Sequence, residues 1–570
     1  MFINRRKFRK IIAALTSGVK ITSKEGFDAL IAEFNELKRS EGNLRKEVLE
    51  AERRTLRTKD QHLHAMLTHH LRSFSGQSNI RRQTAPAQER GNALIVTTTP
   101  SQFPHIAALC GHSAFRRRYQ PIIFAHLDVA ATGLKEFCEE QSLPLVDFTF
   151  RLVNSGSLSD LEGLFSYLSL LFAHREGPSA HLPQPLAGDV AIKFAELAAE
   201  VTRQITLARM ISITMTHCAA SIIILFEDNA EHDTGIWISC AKEQGIPSLI
   251  IPFTIADQIE PAEAHYHDPL FWADADVLNG FAARIYPKWT FKYRDRLLIR
   301  RFASRVIAAE SLGFAQPDPW VLNSSYATCM AVESHATFNF YEQLGVANSQ
   351  MRLTGSFVDD VVFEANHRRA QLQQELGLDA ERPMLLCGFP PNQLTDGRGK
   401  SEFKTFDELI VYWMEQLRKL DGWQVVIRPH PAMARTDIDT LLTFPFVVSE
   451  MDTAKLIPLC NIYNTSVSST IRWALACGKP VLNFDVFQYH YREYADETAV
   501  WTTHSGTEFS DCIERIVKNR SLLDQLSILA LACANKWGTI DGRSGDRIVQ
   551  LMDSIILGAA EGPPVWVQTP

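Results

Sequence analysis

The sequence predicts an α/β protein with two parallel, doubly wound sheets. Short apolar runs alternate with helical stretches in two regions, one starting at residue 93 and the other at residue 383. This alternation is typical of parallel sheets, because a parallel crossover needs a long connection that is usually a helix. In the second region, two apolar runs end in polar turns. Ligands of such sheets bind beyond the carboxyl ends of the strands, so these turns mark the predicted site.

The composition is that of an ordinary globular protein. Of the 570 residues, 46% are hydrophobic and 22% are charged, and this length predicts several domains. The net charge of −7 argues against non-specific binding of nucleic acid. The ten cysteines form no Cys-x-x-Cys pair and no zinc spacing. We therefore expect reduced thiols, a cytoplasmic location and no metal centre.

The first 92 residues differ from the rest of the chain. Residues 1–72 have a ragged helical pattern with charges of alternating sign, and residues 73–92 lack apolar periodicity and read as a linker. We interpret residues 1–72 as a helical arm, either a hairpin or an oligomerisation element. A membrane-surface anchor that includes the basic first ten residues is the competing interpretation. No stretch is long and apolar enough to be a spanning helix.

Two polar turns in the second region predict an anion site. The run Val425–Ile427 leads into Arg428 and His430, and a later run leads into Ser468, Ser469 and Thr470 before a helix. A cation, a protonated imidazole and the N–H groups at a helix start all suit a phosphate. Arg428 could instead pair with a carboxylate, and the hydroxyls could also cap the helix. We expect a nucleotide-phosphate site here.

Aromatic and basic residues alternate between Tyr286 and Arg301. Such a segment could contact a phosphate-bearing glycolipid or a membrane surface. The alternative is an amphipathic helix with aromatic residues in the core and arginines in solvent.

Several motifs together resemble the GT-B glycosyltransferases. They are a Thr-Gly-Ser-x-x-Asp segment (Thr354, Gly355, Ser356, Asp359), Arg-Pro-His-Pro from Arg428, and a Ser-Ser-Thr turn before a helix that ends in Cys-Gly-Lys-Pro. The most similar members are bacterial capsule and surface-polysaccharide enzymes: CMP-Kdo transferases, sialyltransferases and CDP-glycerol glycerophosphotransferases. The resemblance covers about residues 93–550. It implies a Rossmann-like acceptor domain (93–345), a Rossmann-like nucleotide-sugar domain (346–556) and a loose tail (557–570).

The resemblance also implies roles for individual residues. An acidic pair, a His-Pro and a Ser/Thr pair occur here in the family order, as Glu227-Asp228, His430-Pro431 and Ser468-Ser469. The acidic residue would be the general base, and we prefer Asp228 to Glu227. His430 and the hydroxyl groups of Ser468, Ser469 and Thr470 would hold the nucleotide phosphate.

Other positions depart from the family pattern or leave their role open. The acidic motif continues with Asn229 instead of ending in glycine, and Arg472-Trp473 stands near the usual position of a ribose-binding glutamate. Gly355 and Ser356 either approach the donor or only form a turn. If Glu227 and Asp228 are not catalytic, they belong to a solvated turn.

The expected function is transfer of a sugar from a nucleotide donor to a surface polysaccharide or glycolipid, with inversion and without a metal or cofactor. A CMP-activated 2-keto sugar (Kdo or sialic acid) is the favoured donor, and CDP and UDP donors remain open. The alternatives are a CDP-glycerol-type glycerophosphotransferase, a UDP-N-acetylhexosamine 2-epimerase and a non-catalytic GT-B scaffold. Contact with the inner face of the membrane, and a homo-oligomer formed through the arm, are further expectations.

Overall fold

The computed structural model describes residues 90–125, 133–147, 184–256, 258–324, 326–394 and 400–558. The predicted arm, the linker up to residue 89 and the tail from residue 559 lie outside the described residues. Within these ranges, no helix is both long enough and apolar enough to cross a membrane.

The first region forms a sheet of seven parallel strands and a separate antiparallel hairpin. The sheet order is β3-β2-β1-β4-β5-β8-β9, and β6 pairs with β7 in the hairpin. The central strands β1 and β4 are covered on both faces, which explains why their sequences are continuous apolar runs. The strands are β1 (Gly91–Thr97), β2 (Tyr119–Ala125), β3 (Leu145–Asp147), β4 (Ala220–Leu225), β5 (Ser248–Ile250), β6 (Thr290–Tyr293), β7 (Arg296–Ile299), β8 (Cys329–Val332) and β9 (Met351–Leu353).

Helices pack on both faces of the first sheet, and further helices of this region pack around the β6–β7 hairpin. They are α1 (Phe103–Gly111), α2 (Ser113–Arg118), α3 (Leu134–Glu140), α4 (Gln184–His217), α5 (Thr234–Glu243), α6 (Ile259–Tyr266), α7 (Val277–Ile285), α8 (Ala303–Leu312) and α9 (His335–Gln343). The basic-aromatic segment forms the β6–β7 hairpin rather than the expected amphipathic helix. Tyr286 and Trp289 are buried as that interpretation requires, but Arg300 and Arg301 are also buried, next to Glu231. The two arginines are therefore part of the domain interior and not of a solvated face.

The second region forms a sheet of six parallel strands in the order β12-β11-β10-β13-β14-β15. The strands are β10 (Met384–Phe389), β11 (Gln424–Pro429), β12 (Val447–Val448), β13 (Ile462–Thr465), β14 (Val481–Phe484) and β15 (Val500–Thr503). The remaining helices are α10 (Phe357–His367), α11 (Arg369–Glu375), α12 (Phe406–Arg418), α13 (Arg435–Leu441), α14 (Thr453–Leu456), α15 (Ile471–Ala476), α16 (Gly506–Lys518), α17 (Arg520–Trp537) and α18 (Ser544–Ile556). The two parallel α/β sheets confirm the predicted fold class.

Two elements link the regions and bear on the predicted boundary at residues 345 and 346. Strand β9 lies beyond that boundary, yet it pairs with β8 at the edge of the first sheet. Helix α18 also returns to the first region, where Ile548 and Met552 enter its core and Asp553 accepts a 2.6 Å hydrogen bond from the Tyr119 hydroxyl. The apolar face of α18 has its complement on the first sheet, and local sequence cannot reveal this placement.

Candidate functional site

A cleft of about 550 Å³ lies between the two regions. Its wall on the first region consists of Thr254 and Ile255, which follow β5, and Glu260 on α6. The opposite wall comes from the turns that follow β13, β14 and β15. The carboxyl ends of both parallel sheets thus contribute to one cavity, as expected for a ligand site in an α/β fold.

The hydroxyl-rich turn after β13 reaches this cleft in part. Ser468 and Ser469 line the cleft, and the exposed Ser469 hydroxyl makes no hydrogen bond to any described residue. Thr470 does not line it, because its hydroxyl bonds Ser468 at 2.8 Å and Tyr463 at 2.5 Å. Val467 has a left-handed φ of 39°, and the Asn483 side chain accepts its N–H at 2.8 Å. Hydrogen bonds with Tyr463 on β13 and Asn483 on β14 therefore fix the shape of the turn.

Arg428 and His430 lie at the end of β11, with β10 between them and β13. Neither residue is among the described residues that line the cleft. The Ala432 N–H donates to His430 Nδ1 at 3.1 Å. Desolvation and the nearby Arg428 guanidinium lower the pKa of His430, so its imidazole is neutral at pH 7. The structure therefore places Ser469, but not these two side chains, on the wall of the cleft, and their joint contact with a phosphate remains a prediction.

Asp228 lies inside the first region and not at the rim of the cleft. It is 1% exposed, and its Oδ1 accepts 2.6 Å hydrogen bonds from Thr234 and Gln316. Its backbone N–H and C=O both bond Asn323, at 2.7 and 2.9 Å. These partners hold the carboxylate against the loop before β8, and Asp228 is not among the residues that line the cleft.

Glu227 is also buried, but its environment differs. Its carboxylate accepts hydrogen bonds from Thr98 and Gln102, each at 3.0 Å, and from Asn229 at 3.3 Å. Burial, with the Asp228 charge, raises the pKa of Glu227 to about 7 against the opposing hydrogen bonds of Thr98 and Asn229. The more exposed His232 places Nε2 3.4 Å from Glu227 Oε1. Of the predicted acidic pair, Glu227 therefore has the pKa of a general base.

Gly355 and Ser356 have structural tasks at the start of α10. Ser356 and Asp359 form a reciprocal capping box, in which the Ser356 hydroxyl accepts the Asp359 N–H at 3.3 Å. Gly355 has a φ of +80°, and a Cβ there would lie 2.1 Å from Ser544 Oγ. Ser356 lines a small cavity next to the cleft, together with Ser469. These contacts agree with the alternative in which the segment only forms a turn.

A buried arginine joins the two regions beside this small cavity. Arg472 on α15 bonds Asp359 at 2.7 Å and lies 3.8 Å from Glu333, at the end of β8. Its guanidinium also donates to Ser356 Oγ at 3.3 Å and to the Trp537 carbonyl at 3.1 Å. Arg472 stands near the position where the resembling family has a ribose-binding glutamate. In this chain, that position therefore forms an ion pair between the two regions.

Several residues of the cleft were not singled out from the sequence. Asp485 directly follows β14, and His490 and His504 lie close to it, although their spacing matches no metal motif. Arg492 also lines the cleft, and its exposed guanidinium makes no hydrogen bond or ion pair within the described part of the chain. Glu260 is the cleft-lining carboxylate of the first region. The rule that located Ser468 also applies to Asp485 and His504, since each directly follows a strand, β14 or β15.

Two facing α/β domains with a cleft between their carboxyl edges are the GT-B arrangement. No family model matches the sequence. No curated protein matches it either.

Several solved structures are similar to this chain at low identity. MnaA from S. aureus in complex with UDP is 10% identical and has a TM-score of 0.44, with 84% of this chain and 100% of that chain covered. UDP-GlcNAc 2-epimerase from Neisseria meningitidis bound to UDP-GlcNAc is 11% identical, with a TM-score of 0.43 over 81% of this chain and 100% of that one. MurG from Acinetobacter baumannii is 10% identical and has a TM-score of 0.40, with 82% of this chain and 99% of that chain covered.

Proposed function

We propose that the protein is a glycosyltransferase that moves a sugar from a nucleotide-activated donor to a glycan or glycolipid acceptor. The observation that carries the proposal is the interdomain cleft, where Ser469 and Arg492 present polar groups with no partner in the described chain. Unpartnered donors at the carboxyl ends of parallel strands are suited to an anionic ligand.

The second region would bind the nucleotide. The hydroxyls of Ser468 and Ser469 and the guanidinium of Arg492 can donate hydrogen bonds to a phosphate. Tyr491 and Trp501 line the same cleft and offer aromatic surfaces to a base. The groups that bind the ground-state phosphate also stabilise the charge that develops when the sugar leaves.

The first region would supply the proton acceptor for the incoming hydroxyl. We assign this role to Glu227, in place of the initially preferred Asp228, because a pKa of about 7 leaves Glu227 partly deprotonated at neutral pH. His232, beside it, is the group through which a proton could pass to the buried carboxylate. Displacement with inversion is the mechanism that the resemblance implies. Glu260 is the competing candidate because it lines the cleft, whereas Glu227 is buried and does not line it.

The first test is nucleotide binding to the purified full chain, measured by calorimetry with CMP, CDP and UDP. The motif order favours CMP. Ser469→Ala should weaken binding of the preferred nucleotide by about 10- to 100-fold, since a hydrogen bond to a charged group is worth about 1.5–3 kcal/mol. Ser349→Ala, at an exposed serine on the first region, is the matched control and should bind like the wild type.

Two results would contradict the proposal. Equal nucleotide affinity of Ser469→Ala and the wild type would remove the hydroxyl turn from the donor site. Consumption of a nucleotide sugar with unchanged rate and product when no acceptor is present would exclude transfer to an acceptor.

A further inference from the structure

The wall of the cleft contains a group of three metal-ligating side chains. Asp485 follows β14, and His504 follows the neighbouring strand β15, so parallel pairing brings them together. His490 comes from the loop that starts at Asp485. All three residues line the cleft.

The distances within this group suit a small metal ion. His504 Nδ1 lies 3.0 Å from Asp485 Oδ2, and His490 Nδ1 lies 4.0 Å from the same oxygen. The three ligand atoms lie within 4.8 Å of one another. Ligands of tetrahedral zinc lie about 2.0 Å from the ion and hence about 3.3 Å from one another. Small rotations of the two rings would therefore complete the three-ligand geometry.

The carboxylate is held in place, whereas the imidazoles are accessible. Asp485 is 1% exposed, and the Tyr489 and His490 N–H groups donate to its two oxygens, each at 2.9 Å. These bonds fix the orientation of the ligand, as outer-shell contacts do in metal sites. The imidazoles of His490 and His504 reach the cleft with side chains 62% and 40% exposed. The competing interpretation is that Asp485 and His504 form only a hydrogen-bonded pair. That interpretation does not explain why the His490 imidazole lies beside them.

We propose that Asp485, His490 and His504 bind a divalent transition metal of the zinc class and leave a coordination position open to the cleft. Two imidazoles and a carboxylate are a ligand set that zinc accepts with a fourth position free. Arg492 contributes an opposing positive charge in the same cleft, and Glu260 and Glu493 offset it. As an extension that rests on the proposed function and departs from the metal-independent transfer expected from the sequence, the open position takes a phosphate oxygen of the nucleotide.

The test is metal titration of the full chain after chelation, followed by calorimetry with Zn²⁺ and by visible absorption with Co²⁺. His504→Ala and His490→Ala should each weaken one equivalent of metal by at least tenfold and remove the tetrahedral Co²⁺ bands. His367→Ala, at an exposed histidine on α10, is the control and should retain them. Because His490 is exposed, its substitution leaves the core intact, and thermal melting checks this. Unchanged metal binding in both cleft variants would overturn the proposed site.

The extension has its own outcome. Nucleotide affinity should rise at least threefold when Zn²⁺ is added to the wild type and should not rise in His504→Ala. Nucleotide binding that is weakened in Ser469→Ala but independent of Zn²⁺ would overturn the phosphate contact and leave the donor site standing. Metal binding without any nucleotide binding would overturn the proposed function and leave the metal site standing.

Discussion

At the scale of single residues, the environment of Glu227 decides its chemistry. Thr98, Gln102 and Asn229 hold its carboxylate beneath the surface, beside the second carboxylate of Asp228. Burial penalises the charged form, and the hydrogen bonds from Thr98 and Asn229 compensate only in part. The folded pKa of about 7 lies above the ordinary value of 4.5, so the folded state binds this proton more tightly than the unfolded state does.

Glu227→Gln should therefore change how stability depends on pH. In the wild type, the contribution of Glu227 falls as pH rises from 4.5 to 7, by up to about 3 kcal/mol, because the unfolded state loses the proton first. The variant lacks this titration. Urea unfolding at pH 5, 6 and 7 should show that its stability relative to the wild type increases with pH. A constant difference across this range would contradict the raised pKa.

The same variant tests the role of Glu227 as a base. Glu227→Gln should lower turnover about 100-fold or more and retain nucleotide affinity, since a general base contributes about 10²–10⁴ in rate. Asp228→Asn alters a carboxylate buried among Thr234 and Gln316, so its main effect should be on stability. If Glu260→Gln is the variant that loses turnover while Glu227→Gln does not, the base is Glu260.

At the scale of elements, the turn between β9 and α10 shows how backbone geometry positions the second region. Gly355 adopts the left-handed conformation just before the capping box of Ser356 and Asp359. It also touches Ser544 at the start of α18, and Asp360 accepts the N–H groups of Ser544 and Gly545 at 2.9 and 2.7 Å. One turn thus fixes the start of α10 and the start of the helix that returns to the first sheet.

Gly355→Ala should be more destabilising than the same change at a matched glycine. Gly245 has a similar φ of +70°, but a Cβ there would meet nothing within 4 Å. Gly245→Ala should cost about 1–2 kcal/mol from backbone strain alone. Gly355→Ala should cost about 1–3 kcal/mol more, since its Cβ overlaps Ser544. Denaturant unfolding measures both, and equal losses would show that the close approach to Ser544 does not matter.

At the scale of the whole molecule, Arg472 is the buried charge that links the domains. It reaches Glu333 on the first sheet and Asp359 on α10 from its own position on α15. Removal of one member of a buried ion-pair group leaves the others uncompensated. The proposed donor cleft depends on this contact, because Ser469 precedes Arg472 by three residues and lines both cavities.

Arg472→Met should destabilise the protein by about 3–5 kcal/mol. The control is Arg435→Met, which removes an exposed pair with Asp439 and should cost about 0.3–0.5 kcal/mol. Calorimetric melting gives both values. A loss of less than about 1 kcal/mol in Arg472→Met would show that the buried group does not join the domains energetically.

The sequence by itself determined the two parallel α/β regions and the positions of the strand ends. Buried parallel strands are continuous apolar runs, so the local sequence is enough to predict the strands at Ala93–Val96 and Ile222–Leu225. The polar residues that follow such runs can be identified in the same way. By the same rule the sequence located Ser468 and Ser469, which reach the cleft.

Only the tertiary structure decided which strand-end residues meet. Strand order separates His430 from Ser469 by placing β10 between β11 and β13, and it brings Asp485 next to His504 through the pairing of β14 with β15. Tertiary packing also buries Asp228 and raises the pKa of Glu227. It also places α18 against the first sheet. Burial, pairing and charge contacts between distant residues leave no local periodicity, and for that reason the composition of the site had to come from the folded chain.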